Sequence, residues 1–255
     1  MDLALQSVGE TGRFQKTLSV IILLVSCLTQ LTNLTYPLMT YTPTMLCREH
    51  GNDLEPYQEC SKTQLCQTNI YDMKVDKEHS VDNFSSEFEL VCDKAYYAPL
   101  QGTAFFLGGM MSCVFLSPIP DSYGRETIYK MLILLTLVLH FTILTATSAF
   151  TIVVANFFFG IAAYAYTMST LIITEYIDRN TAAILMSVNN AIFPATGIAC
   201  ALFFMFINNW RLLFFISTVM MAVTALVTFR YFIESPRWLS SKNKINECIE
   251  VLKKI

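Results

Sequence analysis

Asp121, Gly124 and Arg125 lie close together in the stretch Ser117-Pro118-Ile119-Pro120-Asp121-Ser122-Tyr123-Gly124-Arg125-Glu126. An acid and a guanidinium around a tight-turn glycine can tie two helix ends together by charge-assisted hydrogen bonds. A second set of polar side chains sits inside otherwise apolar runs: Gln30, Asn33 and Tyr36; Tyr164, Tyr166, Thr167 and Thr170; Asn189 and Asn190. Their amides, hydroxyls and rings can receive a guest, with cation–π attraction worth about 0.5–2 kcal/mol per ring. Equally, they can hydrogen-bond helices to one another. The sequence contains no phosphate loop, no His/Cys metal spacing and no nucleophile elbow. The expectation is therefore a protein that is not an enzyme, with no cofactor, no metal and no nucleic-acid partner.

The elements that carry these residues are set by hydropathy. Of 255 residues, 54% are hydrophobic and 15% charged, against about 25% charged in a soluble domain. Six runs are long enough to cross about 30 Å of hydrocarbon as helices: residues 17–39, 95–116, 128–148, 151–174, 182–207 and 212–232. They are too long and too uniformly apolar for barrel strands. No charge falls in the middle of any run, although Lys130 and Arg230 stand near ends and His140 lies inside the third. His140 reads either as a proton relay or as a hydrogen-bonding contact to a neighbouring helix. The first run is longer than a signal-peptide core and is expected to be a span.

Basic residues fix the expected orientation. Residues 1–16, the turns around Arg125 and Arg179, and residues 233–255 share one side, which reads as cytoplasmic. The loop of residues 40–94 holds eleven acids and five bases and falls on the other side. It also holds Cys47, Cys60, Cys66 and Cys92, expected to form two disulfides in an oxidising compartment, with three pairings open. Asn83-Phe84-Ser85 is a glycosylation sequon, so Asn83 is a candidate acceptor. Cys27, Cys113 and Cys200 read as packing residues within spans.

Asp121-x-x-Gly124-Arg125 resembles the loop motif of the major facilitator superfamily. Glu234-Ser235-Pro236-Arg237-Trp238-Leu239 closely resembles the hexapeptide after the sixth helix in solute carrier family 22, the organic cation, organic anion and carnitine transporters. Further ordered resemblances are Val8-Gly9, Gly12-Arg13-Phe14-Gln15, Phe88-Glu89-Leu90-Val91-Cys92-Asp93, Thr174-Glu175-Tyr176 and Asn209-Trp210-Arg211.

The resemblance implies an all-α membrane protein, the N-terminal six-helix half of a major facilitator fold, built as two inverted three-helix repeats with a long extracellular first loop. It implies secondary transport of a small organic ion by alternating access, as uniport, symport or exchange. It adds Glu175, Arg179, Glu234 and Arg237 to the latch of Asp121, Gly124 and Arg125. It places Tyr166, Asn190 and Asn33 at a substrate cavity on spans one, two, four and five, beside the further candidates Tyr36, Tyr164 and Thr170. The chain departs from the family at Ser117, Ser122, Glu126 and Asn156, where glycine, two basic residues and arginine are usual, so the latch is expected to be thinner. Asp121→Asn is expected to lower transport. Cation versus anion stays open. The helical stretch from Lys244 begins a cytoplasmic linker, and the partners expected are the bilayer and a C-terminal half, a second copy or another membrane protein. The alternative function is a non-transporting membrane subunit derived from a transporter.

Overall fold

The computed structural model describes residues 12–49, 56–60, 66, 71–76, 80–177 and 179–254. Val8, Gly9, His50 and His79 lie outside them. Six helical segments are long and apolar enough to cross a membrane. The first span is α1 (Arg13–Met39), uncharged from Thr17 to Cys47. After α2 (Phe84–Glu87) and a 3-10 turn at Cys92–Lys94, the second span continues as α3 (Tyr97–Phe115). A short α4 (Ile119–Tyr123) precedes the third span, α5 (Arg125–Leu144). The fourth span is α6 (Ala149–Ala162) followed by α7 (Tyr164–Tyr176), interrupted at Ala163. The fifth is α8 (Arg179–Phe206) and the sixth α9 (Trp210–Tyr231), with α10 (Pro236–Ser241) and α11 (Ile245–Lys254) beyond it. Side-chain caps close several ends: Ser148 Oγ accepts from Phe150 N, and Asn209 Oδ1 from Leu212 N.

The core is formed by spans one, three, four and six. At the end of the bundle that carries Arg13 and Arg125, termed inner for the side on which these basic residues are expected, Leu18, Ile22 and Val25 of α1 pack with Tyr129 and Ile133 of α5, Met168 and Ile172 of α7 and Met221 of α9. At the outer end Tyr36 and Met39 pack with Ile143, Phe159, Trp210 and Phe214. The fifth span's most apolar window is only 22% buried and so is the second's, against 50% and 56% for the first and fourth. Spans two and five are therefore the exposed flanks. The second is seated through glycines. A Cβ on Gly108 would lie 1.9 Å from Phe157 O, and one on Gly160 2.0 Å from Phe105 O, so only glycine lets these backbones meet.

Polar residues inside the bundle act as cross-links. Thr32 Oγ1 and His140 Nε2 are 2.8 Å apart, and His140 Nδ1 is 2.8 Å from Thr136 O. Tyr129 and Ser169 hydroxyls are 3.1 Å apart. His140 is fully buried with both ring nitrogens engaged, which is the helix-contact geometry of its two readings.

The outer loop contains strands that hydropathy does not reveal. Strand β1 (Met45–Glu49) pairs antiparallel with β2 (Gln58–Glu59) and β3 (Tyr71–Val75), in the order β2-β1-β3. The sheet is too small to bury a core, and disulfides Cys47–Cys60 and Cys66–Cys92 staple it. The first joins β1 to the residue following β2; the second ties the loop to the start of the second span.

Candidate functional site

The third span begins at Gly124, whose φ of +100° favours glycine and which has no side chain to cap the first N–H groups of α5. Glu234, more than a hundred residues later, supplies the cap. Its Oε1 accepts from Arg125 N at 2.9 Å and its Oε2 from Glu126 N at 3.2 Å. A carboxylate is the favoured group at a helix N-terminus. A Cβ on Gly124 would stand 2.2 Å from Glu234 Oε2, so the glycine makes room for the cap. Burial pushes the Glu234 carboxyl above its ordinary pKa, and its hydrogen bonds from Ser235 N, Arg125 N and Glu126 N pull the other way.

Arg125 then reaches two acids. Its Nε donates to Glu175 Oε1 at 2.6 Å, and its Nη1 to Asp121 Oδ1 at 2.8 Å. Glu175 is 8% exposed and Asp121 72%, so Glu175 is the buried partner. Glu126, where a basic residue is usual, pairs with Lys130 one turn along α5. Three contacts that sequence reasoning missed close the assembly. Trp238 Nε1 donates to Asp121 O at 3.0 Å, Gln15 Nε2 to Tyr176 O at 3.0 Å, and the Tyr176 hydroxyl to Ile233 O. Inner ends of spans one, three, four and six are thus joined. Arg237 is exposed on α10, and the Arg179 side chain lies outside the described residues.

The outer ends have a clasp of their own. Glu87 accepts from Trp210 Nε1 at 2.8 Å and pairs with Arg211, whose Nη1 also donates to Leu144 O at 2.7 Å. Asn83 is fully buried. Its Nδ2 donates to Leu38 O at 2.8 Å and Tyr41 O at 2.9 Å, and its Oδ1 caps α2 through Ser86 N. In this geometry the Asn83 nitrogen that would carry a sugar is buried and bonded to two carbonyls. Ser85→Ala, which removes the sequon at a buried hydroxyl without a partner, is expected to leave electrophoretic mobility unchanged, with or without endoglycosidase. A glycan-sized shift lost in Ser85→Ala would contradict this geometry.

The candidate cavity residues divide. Tyr166 is half-buried and its hydroxyl donates to Asn190 Oδ1 at 3.1 Å, while Asn190 is exposed. They lie ten and eleven residues from the inner ends of α7 and α8, about 15 Å along each helix and near mid-membrane. Thr167 and Thr170 are on the same helix, with the Thr170 hydroxyl on Thr167 O. Asn33 is half-buried near the outer end of α1; its Nδ2 donates to Gln30 Oε1 at 3.2 Å and its Oδ1 has no partner. Two candidates are buried. Tyr36 is 8% exposed, with its hydroxyl on Asn156, and Tyr164 is 6% exposed within the inner core. Both pack within the core of the bundle. Asn189 is likewise fully buried.

Asn33 and Asn190 share a further feature. Asn33 stands four residues before Pro37 and Asn190 four before Pro194, each proline inside its helix. Proline has no N–H for the carbonyl one turn back, so each asparagine presents a released backbone carbonyl beside its amide. The sequence held this signal in the Asn-x-x-x-Pro spacings within its first and fifth apolar runs.

Comparison with known proteins places these features. The profile of the Major Facilitator Superfamily matches residues 94–254. The chain is 32% identical over 179 residues to a solute carrier family 22 member 15-like protein of Xenopus laevis, covering 68% of this chain and 36% of that protein. It is 27% identical over 212 residues to solute carrier family 22 member 21 of Mus musculus (79% and 36% covered). It is 26% identical over 204 residues to organic cation/carnitine transporter 2 of Rattus norvegicus (79% and 36%). The match spans 36% of the length of each of these relatives.

Proposed function

This chain belongs to the major facilitator superfamily, and on that premise we propose that it forms one six-helix wall of a secondary transporter for small organic cations, of which carnitine-like quaternary ammonium ions are the first class to test. A second six-helix unit closes the cavity, and rocking of the two units exposes it to alternate sides. Both termini lie in the cytoplasm and the disulfide-bonded loop outside, in the plasma membrane, as supported by the distribution of basic residues and by the cysteine-rich loop. The latch of Asp121, Glu175 and Glu234 around Arg125 holds the inner ends of four spans together, so that this wall moves as a unit.

The observation that carries the reading is the Tyr166–Asn190 pair. Polar side chains on two neighbouring helices at mid-membrane are costly facing lipid and suited to a wet cavity. Their chemistry favours a cation. The Tyr166 hydroxyl proton is committed to Asn190 Oδ1, leaving the phenol oxygen, the ring face and the carbonyl released by Pro194 as acceptors. No basic residue lies in the middle of the spans on this face. In a membrane assembly that contains this chain, Tyr166→Ala is expected to cut quaternary ammonium uptake by about tenfold, and Tyr166→Phe, which keeps the ring face, by threefold or less, in line with about 0.5–2 kcal/mol for the ring. Uptake by Tyr166→Ala equal to that of the unsubstituted protein removes the pair from the substrate path.

A further inference from the structure

On the flank between the first and sixth spans, α1 and α9 enclose a groove of about 340 Å³ at their inner ends, lined by Lys16, Thr17, Val20, Ile21, Leu24, Val223, Thr224 and Val227. The Tyr166–Asn190 face is on spans four and five instead. The groove walls are apolar in effect, because Thr17 Oγ1 donates to Arg13 O and Thr224 Oγ1 to Met220 O, each within its own helix. Val20 and Val223 are each 56% exposed, so at this depth hydrocarbon must contact them.

The mouth of the groove is basic. Lys16 lines it. Arg13, one turn before Lys16, continues the α1 stripe, and Arg230, one turn after Val227, continues the α9 stripe. All three are exposed, and neither Arg13 nor Lys16 has an ion-pair partner among the described residues. No acid lines the groove among the described residues. Among the described residues at this end, Asp121 and Glu175 pair with Arg125, Glu126 with Lys130 and Glu247 with Lys244, and Glu234 accepts from backbone N–H groups. From Lys16 to Leu24 the groove runs about 12 Å along α1, most of one leaflet's share of the hydrocarbon. Further along, the same stripe of α1 is covered by α8, where Cys27 Sγ lies 3.8 Å from Thr196 Oγ1. A slot closed at its deep end, one leaflet long and basic only at the headgroup level matches a lipid with one acyl chain inserted and a negative headgroup at the rim.

We propose that this groove is a binding site for an anionic phospholipid, with an acyl chain between Val20 and Val223 and the phosphate held by Lys16, with Arg13 and Arg230 beside it. Juxtamembrane basic residues each favour an anionic headgroup by about fivefold.

The test is native mass spectrometry of the full chain in mild detergent with equimolar phosphatidylglycerol and phosphatidylcholine of identical acyl chains. The chain is expected to retain phosphatidylglycerol over phosphatidylcholine by at least tenfold. Lys16→Gln with Arg230→Gln should cut that ratio several-fold, toward what Arg13 alone supports, and Lys16→Arg should preserve it. Val223→Trp, at an exposed position where folding is not at risk, should fill the slot and reduce retention of both lipids. Equal retention by the unsubstituted chain, a ratio unchanged by the double substitution, or full phosphatidylglycerol retention in Val223→Trp would each overturn the proposal.

Discussion

Glu175→Ala is expected to lower the stability of the folded bundle by about 3 kcal/mol, and Asp121→Asn by less than about 1 kcal/mol. The two acids contact the same guanidinium, so their identity does not separate them; their exposure does. Asp121 is 72% exposed, where an ion pair contributes about 0–1 kcal/mol. Glu175 is 8% exposed, and removing one partner of a buried pair costs about 3–5 kcal/mol because the other charge is left uncompensated. The lower end applies here, since Asp121 remains on the outer side of Arg125. Equilibrium unfolding in detergent, read by helical circular dichroism, measures both. Replacing both members, as Arg125→Met with Glu175→Leu, should recover most of the loss, because a packed apolar pair removes the stranded charge. Equal losses for Glu175→Ala and Asp121→Asn would contradict the burial order. The sequence points first to Asp121 because it is four residues from Arg125; the fold moves the weight to Glu175.

Gly160→Leu is expected to cost more than about 3 kcal/mol and to separate the second span from the fourth. The atoms that a Cβ would meet are Phe105 O at 2.0 Å and Gly109 N at 2.9 Å. These are backbone atoms and cannot rotate away, so the response is helix separation rather than side-chain repacking, beyond the usual 1–3 kcal/mol for overpacking. Gly108→Leu should behave alike, with Phe157 O at 1.9 Å. Gly102 is the control, since a Cβ there meets nothing within 4 Å; Gly102→Ala should be neutral or slightly stabilising. A disulfide formed between cysteines placed across α3 and α6 reports the separation. Leucine at position 160 with crosslinking intact would show that the close approach is not needed.

The six helices were legible because each is an apolar run about as long as the hydrocarbon is thick with no charge in its middle, a signal that survives any packing arrangement. The latch was legible only near Arg125, where Asp121 is one turn away. Glu175 and Glu234 lie 50 and 109 residues from Arg125, and no local period joins them; resemblance to a family supplied them. Trp238 and Gln15 stand in segments that resemble the family, but their contacts gave no signal, because their partners are backbone carbonyls that any sequence offers. On the open face, Tyr164 and Tyr166 were taken together, yet residues two apart on a helix do not face the same way, and one is buried while the other reaches Asn190. Pairing of the four loop cysteines depended on the register of β1 with β2, where Cys47 stands opposite Gln58. Strands as short as β2 carry too little alternation to be read in advance.

The proposed transport function requires Tyr166 and Asn190 to form one wall of a shared cavity. Disulfide crosslinking of full-length chains carrying Tyr166→Cys or Asn190→Cys, reconstituted in vesicles beside the unsubstituted chain as background for the native thiols, tests it directly when combined with quaternary ammonium accumulation by the same vesicles. The predicted result is a crosslink from these positions to a second copy or to a partner membrane protein, with accumulation only in vesicles where that association occurs. Monomeric chain that gives no crosslink from either position and still accumulates the cation would contradict it.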